Sequence, residues 1–182
     1  MRIPVQYAVR REELTRDPFA KVTETPETVK GKGILAPDEL GRLIAAPIAD
    51  IRVKAAILLA ALCGLRRGEI RGLRWEDVDA AAGILHVVHN FVNAEGSKAP
   101  KCGSARTVPL PEAVRIALEA IHAIASFDAP EDFALASLES RKRPPVSIAF
   151  FQYGFPHAPE SIGITREDQE RRNRTFHGLR HT

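Results

Sequence analysis

Apolar residues run almost unbroken from Ile51 to Leu62, with Arg52 and Lys54 the only interruptions. A stretch that is apolar on all sides predicts a buried central helix, and Gly64 marks its end. A helix before it is predicted from Pro37-Asp38-Glu39-Leu40, with Leu40, Leu43 and Ile44 as its apolar stripe. After the central helix, Arg67-Gly68-Glu69-Ile70 opens a short one, and Leu73, Trp75 and Val78 add core. The period then changes. Gly83 to His89 reads as a strand, and a second strand fits Ala105 to Leu110, where Pro109 suggests an edge position or a strand end. The pair predicts a hairpin whose long, basic loop carries Lys98 and Lys101. Pro111 then starts an amphipathic helix with Val114, Ile116, Ala117, Leu118 and Ile121 on its apolar side.

Elsewhere the pattern is weaker. Phe133 to Ala136 predicts a short strand, Arg141 to Pro145 a charged turn, and Ser147 to Tyr153 a helix. Ile164 to Arg174 is polar, with acids interleaved among its arginines. At the other end, residues 1–33 read as a tail or linker. VRREELTRDPFAKV predicts the end of a helix that breaks at Asp17-Pro18, and TETPETVKGKG lacks any period. The sum is a mainly α fold with a small β-hairpin.

A chain of 182 residues can bury one sizeable core, or carry one domain and part of another. Its net charge of +3 and pI near 9.1 permit an acidic or nucleic-acid partner without requiring one. Cys63 and Cys102 form no ligand-like pair, which predicts free thiols in a reduced, cytoplasmic protein. The start, MRIPVQYAVRREEL, lacks the apolar core of a signal peptide, and no apolar run is long enough to span a bilayer.

Chemistry is concentrated in three places. His177, Arg180 and His181 share one face if their segment is helical, and a guanidinium beside two imidazoles suits an anion. Arg66 stands where one helix gives way to the next, so backbone N–H groups and a guanidinium can grip phosphate oxygens together. Glu69, three residues on, can pair with and orient a neighbouring arginine. Between these lies the hairpin, where a lysine on the loop can reach a substrate while Arg106 and the strand hold the loop to the body. A rival reading takes Ala60, Gly64 and Ile70 as a helix-turn-helix, which makes the chain a DNA-binding regulator. It leaves the hairpin and the C-terminal histidines unexplained. Zinc on His177 and His181 is not expected, because no third ligand and no helix glutamate accompany them.

Taken together, GLRRGEI, KCGSARTVPL and TFHGLRHT resemble, in order, the first arginine box, the lysine hairpin and the second arginine box of the tyrosine recombinases, the phage-integrase family. The resemblance covers roughly residues 34–182 and implies the DNA breaking-rejoining catalytic domain of that family. Residues 1–33 would then be a remnant of the core-binding domain and its linker. It implies that Arg66 and Arg180 clamp the scissile phosphate and that Lys101 is the general acid, with Lys98 the alternative. His177 would help accept the nucleophile's proton, while Glu69 and His181 support the others. The implied reaction is two transesterifications through a 3′-phosphotyrosine, without metal or nucleotide cofactor. The implied partners are double-stranded DNA and other recombinase protomers in a tetrameric synapse. The family's tyrosine should follow TFHGLRHT by some tens of residues, yet the tyrosines here are Tyr7 and Tyr153, neither in a matching motif. The expectation is a C-terminally incomplete catalytic domain with no nucleophile of its own, unable to cleave alone.

Overall fold

The structure is a computed structural model describing residues 2–21, 33–92, 96–98, 105–125, 127–137 and 144–181. It divides into two units, residues 1–30 and 31–182. The first contains α1 (Arg2–Arg10). This helix ends well before the expected break at Asp17-Pro18, because Glu12 turns left-handed with φ 59°. Asp17 instead serves a local turn, its Oδ1 accepting the Phe19 N–H at 2.8 Å.

The second unit is built around one helix. Helix α2 (Pro37–Ala45) leads in, and α3 (Ile51–Cys63) follows it. Asp50 caps α3 by accepting the Arg52 N–H at 2.9 Å, and Gly64 ends it in the left-handed region with φ 64°. Along α3, Ala55 to Ala60 are all buried, as an all-round apolar sequence requires. Lys54 turns its length to a second use. Its ammonium donates to the carbonyls of Leu43 and Ala46 at 3.3 and 2.8 Å, and to Ile44, closing the open end of α2.

Helix α4 (Arg67–Gly72) is only six residues long. Glu69, Ile70, Arg71 and Gly72 are buried, and Arg71 Nε donates to the Val146 carbonyl at 2.7 Å. A DNA-reading helix must offer an open face to a groove. α4 is short and buried over four of its six residues, so the helix-turn-helix reading gains no support from the fold.

A 3-10 turn (Trp75–Asp77) leads to β1 (Val78–Asp79) and β2 (Ile84–Val87). Next come β3 (Asn90–Val92), β4 (Gly96–Lys98) and β5 (Arg106–Pro109). Strands β2 and β5 pair antiparallel with Leu85 opposite Val108 and Val87 opposite Arg106. The sheet order is β1-β2-β5, which leaves Pro109 at the end of an edge strand. The segment between β2 and β5 is not one long loop. It folds back as a second hairpin, β3 on β4, and Lys98 closes β4 opposite Asn90. Glycines make this arrangement possible. A Cβ at Gly72 would lie 3.0 Å from the Asn90 backbone nitrogen, so α4 and β3 touch with no room for a side chain.

Helix α5 (Glu112–Ile124) packs on α3. Phe133 to Ala136 forms no strand. Its bridges are isolated, Phe133 with Arg74, where a 3-10 turn starts at the next residue, and Ala136 with Pro145, which has no N–H to give. Helix α6 (Ile148–Glu160) runs past Tyr153 and through Pro156 and Pro159. Proline's fixed φ fits a helix, and burial of Phe151, Phe155 and Ala158 offsets the donors lost. Helix α7 (Arg166–Arg171) is capped by Thr165, whose hydroxyl accepts the Asp168 N–H at 3.2 Å. The described chain then closes in a 3-10 helix, Phe176–His181, packed on α3 and α6.

That last helix sits tightly on the entry segment. A Cβ at Gly178 would come within 2.6 Å of the Gly33 carbonyl oxygen, which is backbone and cannot swing away. Gly178→Ala is therefore expected to lower folding stability by about 1–3 kcal/mol, the usual cost of overpacking. A urea titration checks this; a midpoint equal to the parent's would mean the two segments yield freely.

Candidate phosphate-binding site

The site begins with the turn after α3. Leu65 is buried at 1% exposure, which anchors the backbone and sends the next residue outward. Arg66 occupies the N-cap of α4 in extended conformation, with its side chain 44% exposed. One turn along, Glu69 points inward and its side chain is 2% exposed. Both carboxylate oxygens are doubly used. Oε1 accepts Arg66 Nη1 at 2.9 Å and Arg106 Nη1 at 3.0 Å. Oε2 accepts the Arg66 backbone N–H at 2.8 Å and Arg106 Nη2 at 2.7 Å.

This single carboxylate joins α4 to β5. Burial pushes its pKa up, but the Arg106 fork and then the Arg66 N–H and guanidinium outweigh burial and hold it at about 2. The same bonds to Glu69 hold Arg106 above its ordinary value. Two guanidiniums against one carboxylate leave a net positive charge at the surface, beside a guanidinium that solvent still reaches.

A cleft of about 840 Å³ opens there. Arg66, Arg67 and Glu69 form one wall, Phe151 and Phe155 of α6 another, and Arg174 and His177 a third. His177 is exposed and its ring meets that of His181 edge-on at 5.2 Å. The segment is a 3-10 helix rather than the α-helix considered from sequence. Arg180 is half-buried and does not line the cleft, nor does His181.

Of the residues singled out from sequence, Arg66, Glu69 and His177 thus meet at one cleft, with Arg180 and His181 on the adjoining turn. Lys101 lies outside the described residues, as does the side chain of Lys98. Tyr153 is 71% exposed and faces a different cleft, over Ile48, Asp50 and Phe150. Its neighbours Phe151 and Gln152 line the Arg66 cleft instead, so Tyr153 stands on the far side of α6. Tyr7 belongs to the first unit. Among the described residues no three His, Cys, Asp or Glu side chains cluster to hold a metal, and no helix is long and apolar enough to cross a membrane.

Two side chains join those expected at the site. Arg106, expected to hold the loop to the body, does so through Glu69, and Arg174 lines the cleft. Arg106 had a legible signal: it shares the inward side of β5 with Val108, and an inward arginine needs a buried carboxylate. Arg174 had none beyond its place near the histidines.

The Glu69 network makes stability pH-dependent. Its carboxyl is held near 2 in the fold against an ordinary 4.5, so it stabilises the protein fully above pH 4.5 and less as pH falls toward 2. The expected loss over that window is about 2 to 3 kcal/mol, which Glu69→Gln should abolish at the cost of stability at neutral pH. Denaturant titrations at several pH values measure both slopes; equal slopes would mean that other carboxylates carry the acid sensitivity.

Comparison with known proteins follows this geometry. No curated relative matches the sequence. The fold is similar to a crystal structure of XerA recombinase, at 24% identity and TM-score 0.60 over 97% of this chain and 55% of that one. It is similar to the Tn1549 transposon integrase in complex with a circular intermediate DNA, at 18% identity and TM-score 0.73 over 97% of this chain and 60% of the other. A lambda integrase dimer bound to a COC′ core site matches at 20% identity and TM-score 0.62, over 96% of this chain and 46% of that one. The chain thus spans between 46% and 60% of the length of these structures. The sequence profile of the phage integrase family matches residues 34–182, and the chain belongs to that family.

Proposed function

We propose that residues 34–182 bind double-stranded DNA and grip one backbone phosphate at the Arg66 cleft, as the phosphate-clamping part of a site-specific recombination protein. The observation that carries this is the Glu69 network, which presents Arg66 beside His177 with charge to spare. Family membership supports the same reading, and the similar structures include integrases bound to DNA. Residues 1–33 would belong to a core-binding domain and its linker, 34–182 to the catalytic domain, and the protein would work in the cytoplasm. A lambda integrase tetramer on a Holliday junction is the model for partner protomers.

The roles follow the chemistry of each group. Arg66 and Arg180 neutralise the non-bridging oxygens, where charge builds as the phosphate is attacked. Lys101, with Lys98 as the alternative, protonates the leaving 5′ oxygen, and His177 helps take the nucleophile's proton. Glu69 and His181 position their neighbours. Tyr153 does not line the cleft, so this reading is of binding and gripping, without cleavage by that residue.

The purified chain should bind a short duplex with affinity that falls steeply with salt, and should form no covalent adduct on a denaturing gel. Arg66→Ala should weaken binding to all sequences alike and reduce the salt slope by about one. Binding that ignores salt and Arg66, or a covalent adduct, would contradict the reading.

A further inference from the structure

Between α7 and the final 3-10 helix the chain leaves regular structure. Asn173 is left-handed with φ 49°, and the backbone is tied back to α7, the Arg174 N–H donating to the Gln169 carbonyl at 2.7 Å, and by an isolated bridge to Gly33. The 3-10 helix that follows has weaker hydrogen-bond geometry than an α-helix. Two arginines of this segment meet one carboxylate from early in the unit, and Arg172 Nη2 also donates to the Ile34 carbonyl at 3.5 Å. Glu39, in the first turn of α2, accepts Arg172 Nη1 at 2.8 Å and Nη2 at 3.2 Å. Its Oε2 also accepts Arg174 Nη2 at 2.5 Å and the Ala36 N–H at 2.8 Å. The Arg174 side chain is 2% exposed and that of Glu39 13%. Arg174 Nε and Nη1 are buried without a hydrogen-bond partner among the described residues. Glu39 is thus the counter-charge that lets a guanidinium stay buried in the cleft wall.

We propose that Glu39 is a positioning residue for the second arginine box. By holding Arg172 and Arg174 it fixes the three-residue approach to His177, and so where that ring meets the cleft. Glu39 does not line the cleft itself. Its consequence for phosphate rests on the clamp reading above; its geometry does not.

The test uses the full chain, inorganic phosphate as the probe, the imidazole 15N resonances of His177, and a melting curve for each variant. Glu39→Asp keeps the charge but withdraws the carboxylate by one methylene. It is expected to weaken phosphate affinity about three- to thirty-fold and to move the His177 resonances. Glu39→Gln should do more, and if it fails to fold, Arg172→Met at the exposed end of the network should give a smaller change in the same direction. A lowered melting temperature with phosphate affinity and His177 resonances unchanged would overturn the proposal and leave Glu39 a structural brace. If the parent and Arg66→Ala both fail to bind phosphate, the clamp reading fails. The His177 resonances then decide alone: movement in Glu39→Asp supports positioning, and constancy overturns it.

Discussion

A carboxylate at 2% exposure is costly to keep ionised, and Glu69 is ionised only because two guanidiniums and a backbone N–H meet it there. That requirement constrains much of the unit at once. It holds the start of α4 against β5, so the sheet cannot slide along the helix without stranding a buried charge. It also decides the direction of Arg66, whose backbone and side chain are both bound by the same carboxylate. Removing either arginine would cost more than one hydrogen bond, because it would leave Glu69 partly uncompensated.

Close backbone approach supplies the second constraint. Gly72 admits β3 onto α4, and Gly178 admits the entry segment at Gly33. The hairpin and the final 3-10 helix both reach the cleft, through Asn90 and Val92 and through Phe176 and His177. Glu39 mirrors Glu69 across it: each is an acid in the first turn of a helix, each accepts its own N-cap backbone N–H, and each holds two arginines. Each cluster has one positive charge in excess, and each puts one arginine on the cleft, Arg66 from the first and Arg174 from the second.

Much of the scaffold was legible because its signals are local. The all-round apolar α3, its stop at Gly64, the proline start of α2 and the alternation in β2 each follow from a few neighbouring residues. Helix α6 extends beyond its predicted end at Tyr153 through two prolines, which count against a helix unless burial outweighs them, and burial is a tertiary fact. The pairing of Arg66 with Glu69 is also local, at i and i+3. Arg106 with Glu69 and Arg174 with Glu39 are not; they join residues 37 and 135 positions apart, and long-range ion pairs leave no period in a sequence. The second hairpin was missed for a related reason, since β3 and β4 are each three residues long and too short to show alternation.

The most direct test of the account is a crystal structure of the chain with a short DNA duplex. The account predicts a backbone phosphate within hydrogen-bonding distance of Arg66 and His177, with Glu69 still holding both Arg66 and Arg106. A duplex bound on another face, with Arg66 bonded to Glu69 alone, would contradict it.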